Sequence, residues 1–311
     1  QAQRSAPNAL ALLRMSRASA RIRALQAQLC AAEAAPVEWT FHEERDGLET
    51  RVSGQGLALL RLTNAKQRNP LKALVLEGLH DFLSAAATRS DVKVIVIAST
   101  GTCFSSGHDF GDFYQKPVGE VERLLKLCSE VNMLLQRVPQ PTIACVQGLA
   151  TAGGCALASS CDLVVASEEA RFCLPGTRSR GFCHTPSVAL AERVHPRKAF
   201  EMALLSEDVS AQEAQQIGLA NRVVPHAELE SAVLEIASKL CRWQRGPNHI
   251  ASGKKTFYEQ VRLSSLEDKY KHSSNVMAEM MAGEDQQAGF GRFLRGETKR
   301  KRNKKKAASS M

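Results

Sequence analysis

The chain has 311 residues, 44% of them hydrophobic, which supplies a core for one large domain or two small ones. No segment approaches the ~20 continuous apolar residues of a spanning helix, so no membrane partner is expected. The formal charge of +9 comes from the ends, with five arginines in residues 1–32, seven Lys or Arg in 299–311, and no acid in either. The remaining middle holds 29 basic and 32 acidic residues, a charge balance from which no nucleic-acid partner is expected for the folded part.

Residues 1–36 read as a mitochondrial presequence. Arg4, Arg14, Arg17, Arg21 and Arg23 are interspersed with Ala, Leu, Ser and Gln, the arginine-rich, acid-free make-up of an import signal. A disordered alanine-rich leader is the alternative. Gln1 is not an initiator residue, which fits a fragment or a truncated gene.

Residues 37–225 read as the core domain. Trp39-Thr40-Phe41 and Leu57 to Leu62 are expected strands, with Asp46-Gly47 and Ser53-Gly54 as turns. Leu71 to Ala87 follows as an amphipathic helix with Leu74, Leu76, Leu79 and Leu83 among its buried candidates. Val92 to Ala98 is the strongest strand, and it ends at Gly101 before a loop reaching Asp109. Val118 to Val138 is a long helical stretch stopped by Pro139 and Pro141.

Pro141 to Val165 organises the chain. Thr142 to Val146 is a short β-branched apolar run, followed by Gly148 and then Gly153-Gly154. Cys155 to Ser160 is small and mostly apolar, as a helix packed tightly on a sheet requires, and Asp162 to Val165 restores strand character. Paired glycines at a helix start let a ligand oxygen approach unpaired backbone N–H groups.

Further on, Ala170 to Leu174 reads as a strand and Thr177 to Thr185 as a loop, with Pro186 in the first turn of the next helix. Helices are expected at 196–205 and 210–217, the second with Ser210 and Glu213 at capping-box spacing. Residues 226–298 form a helical C-terminal region: one helix near 226–240, then a final pair at 248–262 and 265–282. Residues 299–311 are a basic tail that cannot build a core. A solvated terminus is the favoured reading of that tail, over a nuclear signal or a polyanion contact. Nine cysteines, mostly inside apolar runs, read as buried thiols, and no metal-ligand spacing is present.

Phe104-Ser105-Ser106-Gly107-His108-Asp109 together with Gly148 to Asp162 resembles the enoyl-CoA hydratase/isomerase superfamily, the crotonases. The likeness runs from about Val52 to Phe293 and includes Arg68-Asn69-Pro70, Gly181 to Leu190, and Ser210 to Ala214 leading to Gly218-Leu219-Ala220. It implies an α/β chain with the ClpP/crotonase fold: repeated ββα units in a spiral core with a helical C-terminal region. It also implies a homotrimer or dimer of trimers that takes acyl-CoA thioesters in fatty-acid metabolism. Coenzyme A would enter as part of the ligand, with no tightly bound cofactor.

By the same resemblance, the backbone N–H groups of His108 and Gly153 form an oxyanion hole, both at the starts of expected helices. Arg68, Ser106 and Lys255 are the residues implied to hold coenzyme A, with Lys254, Arg295 and Lys299 also in the basic region near its phosphates. Hydratases of the family carry two carboxylates where this chain has Ala156 and Gly176, so ordinary hydration is not expected. His184 is the candidate replacement base, Cys183 a weaker one, and Arg178 and Arg180 candidates for a substrate carboxylate. A non-catalytic acyl-CoA binder is the alternative class, and a nucleic-acid role for the lysine tail a weaker one.

Overall fold

The structure is a computed structural model that describes residues 37–244 and 249–296. The expected presequence and the tail from 299, Lys299 included, lie outside the described residues. Within them, the chain repeats one unit: a strand for a large sheet, a strand for a small one, then a helix. The N-terminal meander is β1 (Trp39–Arg45), β2 (Leu48–Ser53) and β3 (Leu57–Leu62), then the short β4 (Pro70–Leu71) and α1 (Ala73–Ala86). The next unit is β5 (Val94–Ser99), β6 (Cys103–Ser105), the two-residue β7 (Gly107–His108) and α2 (Val118–Arg137). Then come β8 (Thr142–Val146), β9 (Leu149–Thr151) and α3 (Gly153–Ser160), followed by β10 (Leu163–Ser167), β11 (Arg171–Cys173) and α4 (His184–Ala191).

The large sheet has the order β1-β2-β3-β5-β8-β10 and ends on β13 (Arg222–Val224). From β3 onward its pairs are parallel, and both faces are covered. That explains why Val94-Ile95-Val96-Ile97 is apolar throughout instead of alternating. Alternate residues serve two cores. Ala58, Leu60, Ile95, Ile97, Ala144 and Val164 face α1, α2 and α3, while Leu57, Leu59, Val94, Val96, Ile143 and Val165 face the other way. The small sheet runs β6-β9-β11 and closes on β12 (Val209–Ser210).

Helices α5 (Pro196–Leu205) and α6 (Ala211–Gln216) precede β13, and the Ser210 hydroxyl caps α6 by accepting from the Glu213 amide at 3.2 Å. The second face of the large sheet is covered by α7 (Leu229–Trp243), which buries Leu229, Val233, Ala237 and Cys241 against it. The described residues end in α8 (His249–Arg262), α9 (Leu266–Ala282) and α10 (Glu284–Leu294), none with a fully buried residue. The expected final pair is thus a trio. Gly283 ends α9 and starts α10, with Glu284 and Asp285 in the first turn.

What fastens α8 to the core is a buried ion pair. Lys254, among the candidates for coenzyme A phosphates, is instead sequestered: its side chain is 7% exposed. Its ammonium lies 2.7 Å from Asp162 Oδ2 and donates to the Leu135 and Gln140 carbonyls at 2.8 and 2.9 Å. All three donors are used. Asp162 also accepts from the Thr142 amide at 2.7 Å and the Tyr258 hydroxyl at 2.7 Å. Arg193 completes the knot by donating to the Tyr258 oxygen and the Ser159 carbonyl, both at 2.9 Å. Burial lowers the Lys254 pKa, with the Asp162 charge opposing that shift. Removing one member leaves the other charge buried and under-partnered. Lys254→Met should therefore lower the unfolding free energy by about 3 kcal/mol in urea titrations. Tyr258→Phe should cost only about 1 kcal/mol.

Candidate functional site

Two loops meet beyond the carboxyl ends of β5 and β8. The first runs from Ser99 to Asp109 and the second from Val146 to Gly154. Their main chains touch, and glycine is what permits it. A Cβ on Gly148 would lie 1.9 Å from the Thr102 carbonyl oxygen, and one on Gly154 would lie 2.5 Å from that of Ser105. Gly107, at φ +81°, would place a Cβ 2.9 Å from the Gly153 nitrogen. Conversely, a Cβ on Gly153 would sit 3.5 Å from His108 Cδ2 and 3.6 Å from Gly107 Cα. The His108 and Gly153 backbones are therefore brought together.

The second loop ends under strain. Ala152 precedes α3 at φ +50°, ψ −122°, a region that favours glycine. The first intrahelical bond there is from the Ala156 amide to the Ala152 carbonyl, at 3.1 Å. The Gly153 amide therefore belongs to the orphan donors of a helix start, where the peptide dipoles favour an anionic oxygen. His108 is different from what was expected. It sits in β7, which pairs with β4, and is followed only by the three-residue 3₁₀ turn Phe110–Asp112, capped by Asp109 accepting from the Gly111 amide at 2.9 Å. No helix starts at His108, so the dipole contribution falls to Gly153 alone.

Arg68 and Ser106 are also brought together. The Ser106 amide donates to the Arg68 carbonyl at 2.9 Å, while the Arg68 side chain is exposed. The residue between Arg68 and Pro70 does more than the sequence suggested. Asn69 is 1% exposed, and its amide group donates to the Thr100 and Cys103 carbonyls, both at 2.8 Å. Its own carbonyl accepts from the Ser105 hydroxyl at 2.8 Å. Arg68 and Asn69 both have positive φ (+62° and +52°), a tight turn that asparagine tolerates. An asparagine beside a proline is the signal that could have found this clamp.

The remaining candidates scatter. His184 is exposed at the start of α4, its ring 5.0 Å from Phe182. Burial pushes the Cys183 thiol pKa up, away from a reactive thiolate. Arg178 lies 3.8 Å from Asp208, so its charge already has an answer, and Arg180 takes φ +57° at the end of a 3₁₀ turn. Lys255 is exposed and 3.9 Å from Glu259 on its own helix. Its neighbour Lys254 reaches Asp162 and the turn before β8, at the amino ends of the parallel strands, so the structure does not bring Lys255 to the two loops within one chain. Among the described residues no group of three metal-ligating side chains occurs, and no helix is long and apolar enough to cross a membrane. A cavity of about 590 Å³, lined by Trp39, Leu57, Val96, Cys145 and Val233 among others, opens on the sheet's second face and includes neither His108 nor Gly153.

A ββα spiral in which two glycine-containing loops meet main chain to main chain beyond the strand ends is the architecture of the crotonase class. The chain belongs to the enoyl-CoA hydratase/isomerase family, whose match covers residues 53–304. A mouse relative, "Enoyl-CoA hydratase domain-containing protein 3, mitochondrial", is 37% identical over 253 residues, which is 81% of this chain and 83% of that one. The crystal structure of human enoyl Coenzyme A hydratase domain-containing protein 3 superposes with a TM-score of 0.76 at 37% identity, over 81% of this chain and 98% of that one. An Arthrobacter protein named 4-chlorobenzoyl coenzyme A dehalogenase-2 is 30% identical over 230 residues, covering 72% of this chain and 82% of its own length.

The strain at Ala152 is testable. Ala152→Gly should raise the unfolding free energy by about 1 kcal/mol, because relief of the positive φ outweighs glycine's extra unfolded-state entropy. A lower melting temperature for this variant would contradict that account.

Proposed function

We propose that this chain is a mitochondrial crotonase that binds acyl-CoA thioesters in fatty-acid metabolism and polarises their carbonyl without hydrating an enoyl group. The observation that carries it is the contact of the His108 and Gly153 loops, the close approach that a pair of main-chain donors to one oxygen requires. Such donors are worth a few kcal/mol, about 3, to an oxyanion. The names of the mouse relative and its like supply the mitochondrial address, in keeping with the arginine-rich first 36 residues. The dehalogenase named above acts on a coenzyme A thioester by a different reaction, which supports the thioester as the shared element.

Hydration needs a proton donor or acceptor beside the double bond or the water. Ala156 is 1% exposed inside α3, and an alanine moves no proton. At Gly176 a Cβ would come within 2.6 Å of the Cys183 nitrogen and 2.8 Å of the Phe182 carbonyl carbon, so the main chain fills the space a side chain would take. The two carboxylates that follow His108 are engaged: Asp109 caps its turn and lies 3.5 Å from the Lys72 ammonium, and Asp112 accepts from the Ala73 amide at 3.3 Å. Arg68 and Ser106 are the residues we assign to the nucleotide end of coenzyme A.

Calorimetry with butyryl-CoA and a crotonyl-CoA hydration assay test the two halves of this proposal separately. Binding at micromolar concentration without turnover is expected; turnover at ordinary hydratase rates would refute the second half. Gly176→Glu should not create activity and should lower the melting temperature, since its Cβ meets backbone. Phe257, Val261, Leu266, Tyr270 and Met277 on α8 and α9 are exposed, and this apolar surface suits self-association. Sedimentation is expected to give a trimer or a multiple of one, and a monomer at micromolar concentration would exclude it.

A further inference from the structure

The second face of the large sheet carries a space that its own side chains do not fill. The cavity there, about 590 Å³, lies between the sheet and α7 and falls within the roughly 300–1,000 Å³ of small-molecule pockets. Well-packed interiors leave few voids larger than a water molecule, so a hollow of this size beside a core is unusual. Leu57, Leu59 and Val96 from the sheet and Leu229, Val233 and Leu234 from α7 give it apolar walls. Trp39 also lines it, with the Arg51 guanidinium 5.7 Å from the centre of its ring.

Charge in the lining comes from Arg61, Glu230 and His226. Burial pushes the Cys145 thiol pKa up to about 12, so that part of the wall is neutral. The Arg61 side chain is 27% exposed and lies 3.6 Å from Glu49 and 3.8 Å from Glu230. Neither contact is short enough for a hydrogen bond, and its guanidinium donates to no described residue. Glu49 is served by others: Arg51 donates to it at 2.7 Å and His42 lies 3.0 Å away. Glu230 is 79% exposed in the first turn of α7, a weak and displaceable counter-ion. His226 already lies 3.7 Å from Glu169. One planar, donor-rich cation with spare capacity beside apolar walls suits a single carboxylate on an apolar body.

We propose that this cavity is a second binding site, for an amphipathic monocarboxylate whose head pairs with Arg61 and whose apolar chain lies along Leu57, Leu59, Val96 and Val233. The inference goes beyond the acyl-CoA reading and does not depend on it. The site is separate from the two glycine loops' meeting point, since neither His108 nor Gly153 lines it. Its occupant would nonetheless touch the roots of both loops. Ser99, Thr100, Gly101 and Gln147 are lining residues, and Gln147 donates to the Ser99 hydroxyl at 2.8 Å and the Gly101 carbonyl at 3.0 Å.

Calorimetry on the intact chain with decanoate, decanol and acetate tests the proposal. Decanoate should bind about tenfold tighter than decanol, as a charge-assisted hydrogen bond gives, and acetate should show no binding. Location is read from fluorescence: a decanoate brominated at its far carbon should quench Trp39 in Trp243→Phe, where it is the remaining tryptophan. Two variants should move affinity in opposite directions. Arg61→Gln, which leaves Arg51 and His42 on Glu49, should weaken decanoate about tenfold, and Glu230→Gln should tighten it about threefold. Equal affinity for decanoate and decanol, or binding that leaves Trp39 unquenched, would overturn the proposal. So would an Arg61→Gln chain that keeps native affinity, or no binding of decanoate at all. None of these results bears on whether the chain binds butyryl-CoA, so the two readings fail separately.

Discussion

Contact of main chain with main chain, between the loops after β5 and β8, is the constraint on which the site depends. Gly148 and Gly154 sit where any Cβ would strike the carbonyl oxygens of Thr102 and Ser105. A side chain at either position would force the loops apart, and the His108 and Gly153 backbones would separate with them. Asn69 holds the first loop from behind, through two carbonyls that the loop's own geometry leaves available. The strained Ala152 hands the chain into α3 at an angle no relaxed residue would take. Three local devices thus serve one placement, and none of them involves a titrating group.

Much of this was legible in the sequence, because it depends on local pattern. The apolar run Val94 to Ile97, the glycines of Gly153-Gly154 and the Ser210 cap are short-range signals, and the structure places the strand, helix start and capped helix there. Lys254 was not legible. It stands beside Lys255 in a run that looks evenly solvated, and only the approach of Asp162, in a distant part of the chain, turns one lysine inward and leaves the other outside. The helix start expected at His108 failed for a similar reason. β7 is held by pairing with β4, a partner far back in the chain, and Asp109 caps only the three-residue 3₁₀ turn that follows.

The Asp162–Lys254 knot and the site lie at opposite ends of the same strands. β8 begins at the Thr142 amide that Asp162 accepts from and ends at the glycine loop. The helices α8 to α10, without a fully buried residue of their own, are thus tied to the core at the end away from the chemistry. Their apolar surface is left to face something other than this chain's own site.

Gly176 carries a consequence for how such a protein changes over time. The backbone of Phe182 and Cys183 occupies the room that a side chain at 176 would need. Placing an acidic group there is therefore not a single step, since the path of the following segment would have to be redrawn in the same event. Intermediates carrying only one of the two changes would be crowded or hollow. The packing therefore works as a lock on sequence change: with the segment settled against bare glycine, position 176 admits no side chain in a single substitution.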